Sequence, residues 1–302
     1  MSDLFARYVA DHAAVHKKQR SFDEDRRLIA KNLEPCFGTT RVRDIALADI
    51  SRWHSKQRDR PIQANRALML LSKALNLAEE WGLRPINSNP CSHVKKFKEN
   101  RRQRYLSPEE FQRLFDALDQ AERGELRTAK GSIVAPYAVA AIRLIAMTGA
   151  RRSEILGLQW DWIDWDRGVA ELPDSKTGRR SLVFSPEARE GLSKIPRLAD
   201  NPHVFPGAKP GSRLYDVKKP WELIRTAARL FDMRLHDLRH SFASVGAAAG
   251  MSLPMIGALL GHKSTQTTAR YAHLADSVQH ESAAVIGALI KGGRTDGPDQ
   301  AG

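Results

Sequence analysis

The chain has 302 residues, with 48 Lys+Arg against 35 Asp+Glu and a formal net charge of +13. Hydrophobic residues at 42% and charged residues at 27% indicate a soluble globular chain and exclude a disordered or collagen-like one. No apolar run reaches the eighteen residues of a membrane-spanning helix, and the N-terminus lacks an apolar signal core, so a cytoplasmic protein is expected. Cys36 and Cys91 are too few for a disulfide framework or a Cys-rich zinc site.

The charge is uneven. Up to Arg104 there are 22 Lys+Arg and 12 Asp+Glu, a net of +10; the remainder holds 26 and 23, a net of +3. A strongly basic region of ordinary hydrophobicity points to a polyanionic partner, nucleic acid first. The alternative is a solvated charged surface.

Residues 4–16, 23–33, 47–57 and 63–81 show apolar residues at three- and four-residue spacing, which predicts helices. The last is the clearest, with Leu68, Leu71, Leu75, Leu77 and Ala78 on one side. Gly38-Thr39-Thr40, Pro61 and Gly82 read as breaks. Residues 1–91 are therefore expected to form a small helical bundle. Residues 92–104 carry six basic residues in their last ten and no periodicity, which reads as a basic linker. Lys95, Lys96, Lys98, Arg101, Arg102 and Arg104 are its candidate phosphate contacts.

Ser107-Pro108-Glu109-Glu110 opens a second domain, expected over residues 105–291. Ser107 suits an N-cap, Pro108 the first helical position, and Glu110 a capping box. An apolar helix over 135–147 ends at Thr148-Gly149. Residues 160–166, 169–172 and 181–184 read as short strands, with Gly168 and Lys176-Thr177-Gly178 as turns. Helices return over 215–230, 236–249, 253–260 and 285–290. Residues 292–302 read as a disordered tail.

Four segments carry chemistry. His236 and Arg239, three apart in His236-Asp237-Leu238-Arg239-His240, share a helix face. The His236/His240 spacing is that of a zinc protease, but Asp237 stands where its glutamate base belongs, and no metal site is expected. Thr148-Gly149-Ala150-Arg151-Arg152-Ser153-Glu154 places a carboxylate three residues from Arg151, where it can orient the guanidinium. Leu260-Gly261-His262 is followed nine residues later by Tyr271.

In this order the segments resemble the tyrosine recombinase (phage integrase) family over essentially the whole chain. That family has a TGxRxSE segment, a lysine in a β-turn, HxLRH, LGH, and a tyrosine nine residues after that histidine. The resemblance implies Arg151, Lys176, His236, Arg239, His262 and Tyr271 as catalytic residues, with Glu154 in support. Arg179 and Arg180 compete with Lys176, and Arg152 with Arg151; His240 and His273 read as packing residues or as outer support of the site. The implied fold is mainly α with a small antiparallel β-sheet in the catalytic domain, two domains forming a clamp around DNA.

The resemblance further implies that Tyr271 is the nucleophile, that Arg151 and Arg239 grip the phosphate, and that His236 takes the phenolic proton. His262 would donate to the phosphate and Lys176 would protonate the leaving 5′ oxygen. The expected partners are double-stranded DNA and further copies of the chain, a tetramer on two sites. An excision factor or DNA-bending host protein is a candidate accessory. No cofactor is expected. The helix at 285–290 would either pack on its own core or dock on a neighbouring protomer. The sequence reads as starting at the core-binding part, with no arm-binding domain expected ahead of it, as in Xer-type resolvases, yet Asn65–Leu68 through Glu79–Leu83, followed by Asn89-Pro90-Cys91, resembles the prophage and genomic-island type, so integration or excision of a mobile element is the expected role. The alternatives are an Xer-type resolvase, a type IB topoisomerase and a non-catalytic DNA binder.

Overall fold

The computed structural model describes residues 1–99, 104–128, 131–175, 178–262 and 264–274. The chain packs as two compact units, Met1–Arg102 and Gln103–Gly302. It is mainly helical, with one three-stranded antiparallel sheet.

The first unit is all helical. Its first helical run joins Ser2–Arg7, a π-helical turn at Tyr8–Ala13 and Ala14–His16. The second joins Gln19–Leu28, a π turn at Ile29–Leu33 and Glu34–Phe37. Leu47–Ser55 and Pro61–Glu80 complete the bundle. Pro61 begins the last helix instead of separating it from the one before, because the first helical N–H has no partner for a proline to remove. Tyr8, Leu33, Ile50, Leu71 and Leu75 are fully enclosed in its core.

The expected linker is divided. Pro90–His93 forms a 3-10 turn capped by the Asn89 side chain. Phe97 stacks on His54 with centroids 4.2 Å apart. Buried Asn65 accepts from the Phe97 N–H at 3.0 Å and donates to the Phe97 carbonyl at 2.9 Å and to Glu99 at 2.8 Å. Residues 92–99 are thus held on the helical unit. Arg101 and Arg102 lie outside the described residues. Arg104 is gripped by Glu110 at 2.7 Å and Asp232 at 2.9 Å.

The second unit is built around helix Pro136–Thr148, buried on nearly every side. Pro108–Glu122, Pro186–Ser193 and Asp237–Ala248 pack against it. Ser107 and Glu110 make the expected reciprocal cap, at 3.2 and 3.1 Å. The sheet runs β1 (Ile163–Asp164), β2 (Val169–Ser175), β3 (Gly178–Val183). Ala170, Leu172 and Leu182 face the core. Residues 160–166 are mostly not strand: Trp160–Trp162 is a 3-10 turn. β2 and β3 run further than expected, with an irregularity between Leu172 and Ser175 where Pro173 has no N–H for the ladder. The helix expected over 215–230 is confined to Lys218–Ala227, and Arg229 turns left-handed at φ +57° just beyond it. Leu253–Leu260 runs as expected. The segments 285–290 and 292–302 lie outside the described residues.

A small separate cluster of Ala243, Ala247, Ile256, Leu260 and Tyr271 joins the last helices, with Tyr105 and Phe242 against it. It fixes the end of Leu253–Leu260 and the turn carrying Tyr271 beside helix Asp237–Ala248.

Candidate active site

Two glycines shape the site. Gly149 ends Pro136–Thr148 at φ +61°, and Gly261 ends Leu253–Leu260 at φ +64°, a conformation that disfavours a Cβ. A Cβ on Gly149 would stand 2.7 Å from Phe242, and one on Gly261 2.5 Å from the Arg180 side chain. Each glycine therefore also allows a close approach.

A helix C-terminus leaves carbonyls without intrahelical donors, at the negative end of the dipole. Here three consecutive carbonyls, Leu259, Leu260 and Gly261, each accept from a different arginine. Arg180 Nη2 donates to Leu259 at 2.6 Å, Arg239 Nη2 to Leu260 at 2.8 Å, and Arg151 Nη2 to Gly261 at 3.2 Å. Arg239 also donates to the Gly149 carbonyl at 2.8 Å, which ties the two glycine turns together.

Glu154 organises two of these cations. Its Oε1 accepts from Arg151 Nη1 at 2.7 Å. Its Oε2 accepts from the Arg151 backbone N–H at 2.9 Å and from Arg180 Nη1 at 2.8 Å. Arg152 points elsewhere, to Asp216 at 2.6 Å. Arg151 therefore shares the cluster with Arg180 and Arg239, and Arg152 does not.

Three guanidiniums with only one carboxylate, which pairs with two of them, leave a positive excess. Burial, then the charges of Arg151 and Arg180, lower Arg239 to about 10, which leaves it cationic at neutral pH. Burial, followed by Arg239, Arg151, Arg270 and Arg180, lowers His262 to about 4. His236 is also lowered, by burial first and Arg239 next. His262 Nδ1 pairs with the Thr268 hydroxyl at 2.8 Å. With Nδ1 as acceptor, Nε2 of the neutral ring carries the proton and is free to donate. A cleft of about 230 Å³ lined by Ala150, Arg152, His236 and Arg239 opens beside the cluster.

Tyr271 lies in the 3-10 turn Ala269–Leu274 and is only 1% exposed. Its hydroxyl sits 2.6 Å from His240 Nδ1. The His240 ring stands edge-on to His236, centroids 5.1 Å apart. Burial raises the Tyr271 hydroxyl above its usual range, against the lowering pull of Arg270 and Arg239.

Residues 104–277 match the model of the Phage integrase family. The chain belongs to the phage integrase family. It is 33% identical over 240 residues to a shufflon-specific DNA recombinase of Escherichia coli, covering 77% of this chain and 56% of that protein. It is 28% identical over 232 residues to the integrase of Salmonella phage P22, covering 72% of this chain and 56% of that protein. The chain thus spans little more than half the length of these two relatives. A lambda integrase dimer bound to a COC′ core site superposes with a TM-score of 0.69 at 19% identity, covering 88% of this chain and 96% of that one. A Tn1549 transposon integrase in complex with transposon right end DNA superposes at 0.74 and 16% identity, covering 94% and 99%. These likenesses establish the fold.

Within this phage integrase fold, Arg151, Glu154, His236, Arg239, His262 and Tyr271 come from four separate elements to one region. Lys176 lies outside the described residues. Two residues of the region were not singled out from sequence. Arg180 was weighed only as a rival for Lys176, yet it is buried on Glu154, its inward side set by β-strand alternation. His240 was read as packing or outer support, although its place four residues after His236 puts it on the same helix face.

Proposed function

We propose that this chain cleaves and rejoins DNA strands at a specific site through a 3′-phosphotyrosyl intermediate, integrating or excising a mobile element. The observation that carries the reading is the triple arginine cap on carbonyls 259–261, which sets Arg151 and Arg239 beside His262, with Tyr271 nine residues on. A guanidinium has five N–H donors, so Arg239 keeps donors for a phosphate after capping two carbonyls. The fixed cations would stabilise the extra charge of the pentacoordinate transition state without reorganising.

In the step itself the Tyr271 oxygen bonds to phosphorus and the bond to the 5′ oxygen breaks. The phenolic proton passes to a protein base, and Lys176 supplies a proton to the departing oxygen. His262 Nε2 donates to a non-bridging oxygen. The phosphodiester energy is kept in the tyrosyl ester, so a 5′ hydroxyl from another strand can reverse the step without ATP. The helical unit, with Lys95, Lys96 and Lys98, would contribute sequence-independent phosphate contacts. Four copies on two sites would exchange strands in pairs, with an excision factor or DNA-bending protein as accessory.

Covalent trapping tests this. Nicked duplexes tiled across DNA flanking the gene are incubated with protein in EDTA and resolved on a denaturing gel. A shifted band with wild type and none with Tyr271→Phe is the expected result. DNA binding with no adduct on any duplex would leave a non-catalytic binder. The similarity to a shufflon-specific recombinase supports a second reading, rearrangement of DNA segments. Paired sites on one plasmid separate the two: inverted products favour the second.

A further inference from the structure

We propose that His240, through Nδ1, is the base that takes the phenolic proton of Tyr271 as that oxygen bonds to phosphorus. The inference rests on Tyr271 being the nucleophile, and it assigns to His240 the role that family resemblance assigns to His236.

The Tyr271 side chain is enclosed by Ala243, Ala247, Ile256 and Leu260, so bulk water does not reach its hydroxyl. A buried phenol cannot shed its proton to solvent; the proton must pass to a group in contact. Among the described residues, the hydroxyl's side-chain partner is His240 Nδ1 at 2.6 Å, within the reach required of a general base. His236 faces the cleft with Arg239 instead.

The charge state of His240 suits this role. Burial first, then the fields of His236, Arg270 and Arg239, against the opposing pull of Asp237, lower it to about 4. The ring is therefore neutral at neutral pH. The hydroxyl donates to unprotonated Nδ1, and Nε2 carries the ring proton. An anionic phosphate seated on Arg239 would offset part of the cationic field and make His240 more basic when DNA is bound. The proton leaves Tyr271 for Nδ1, the oxygen–phosphorus bond forms, and the 5′ oxygen departs. Helix Asp237–Ala248 carries both Arg239 and His240, so it fixes the distance between the phosphate grip and the proton acceptor.

The test is single-turnover adduct formation on a nicked duplex that traps wild type, remade with sulfur at the bridging 5′ position. A thiolate leaves without protonation, so the rate reports nucleophile activation alone. His240→Asn keeps a hydrogen-bond acceptor near the Nδ1 position but cannot take a proton; His240→Ala loses both. Both variants are expected to bind the duplex as wild type does and to react at least about 100-fold more slowly near neutral pH. Between about pH 6 and 9 the wild-type rate should be nearly flat. The His240→Asn rate should climb about tenfold per pH unit, because its phenol must ionise unaided. A His240→Asn rate within about threefold of wild type, with the same pH profile, overturns the proposal. If the substitutions unfold the chain, ¹⁵N NMR of the histidine ring in Tyr271→Phe serves instead. Loss of the hydrogen-bonded Nδ1 signal supports the contact, and an unchanged spectrum overturns it. No adduct with wild type on any duplex overturns the tyrosine reading and the inference together; adduct formation by His240→Asn at close to the wild-type rate overturns the inference alone.

Discussion

Arg180 and Glu154 form an ion pair with side chains only 5% and 4% exposed, joined at 2.8 Å. The same carboxylate holds Arg151 at 2.7 Å. Removing one partner of a buried pair typically costs about 3–5 kcal/mol, because the other charge is left without compensation. Arg180→Met leaves Glu154 its Arg151 partner, so a loss near about 3 kcal/mol is expected. Urea denaturation of the variant checks this, and adduct formation should fall as well, because Glu154 then orients Arg151 less firmly.

Gly149→Ala strikes the site through the backbone. The residue sits at φ +61°, and the added Cβ would meet Phe242 at 2.7 Å and Leu260 at 2.9 Å. Left-handed strain and overpacking together predict a loss of about 2–4 kcal/mol. The Gly149 carbonyl also accepts from Arg239, so the cleavage rate should drop further than the lowered stability explains. Thermal melts and single-turnover rates at a temperature where the variant stays folded separate the two effects.

Stability should depend on pH through His240 and His262, both lowered from 6.5 to about 4. Below 6.5 the unfolded chain takes up protons that the folded chain refuses, so stability is full above that value and is lost as pH falls towards about 4. Each histidine can contribute at most about 1.4 kcal/mol per pH unit, and less for a half-buried ring screened by solvent. Melting temperatures across this range should fall for wild type and flatten in part for His262→Asn. Glu110, lowered by Arg104, adds its own loss only beneath the ordinary carboxylate value of 4.5.

Asn65 joins the basic segment to the helical unit through Phe97 and Glu99, and its Oδ1 accepts from His54 Nε2 at 3.2 Å. Asn65→Leu removes these bonds and leaves the Phe97 backbone groups to water. A loss of about 2 kcal/mol in stability is expected. Affinity for nonspecific duplex DNA should weaken as well, because Lys95, Lys96 and Lys98 lose their fixed placement. Binding isotherms at two salt concentrations check this, with a shallower salt dependence expected.

Much of this was legible along the chain. Ser107 and Glu110 lie three apart, so the cap is a local matter, and the helix they open begins where expected. Leu253–Leu260 shows its boundaries directly, with Ser252 as cap and Gly261 as stop. The 160–166 segment misled because three large aromatics in seven residues look strand-like, while only Ile163 and Asp164 find a partner strand. The linker reading missed Asn65, since one asparagine in a leucine-rich helix gives no sign that residues 32 and 34 positions away will bond to it.

Family membership and the choice of candidate site residues rest on residue type and short spacing: Arg151 three before Glu154, His236 three before Arg239, Tyr271 nine after His262. One turn of helix or one short loop sets each of these, so they survive in one dimension. The arginine cap on carbonyls 259–261 and the Tyr271–His240 contact do not. Arg180 reaches Leu259 across 79 positions, Arg151 reaches Gly261 across 110, and Arg239 reaches Gly149 across 90. Such contacts form only where packed helices bring a carbonyl at a helix end opposite a guanidinium, and the same packing sets which histidine faces the phenol. Local chemistry named the candidate groups; tertiary packing chose their partners, because partner choice depends on which distant surfaces exclude water together.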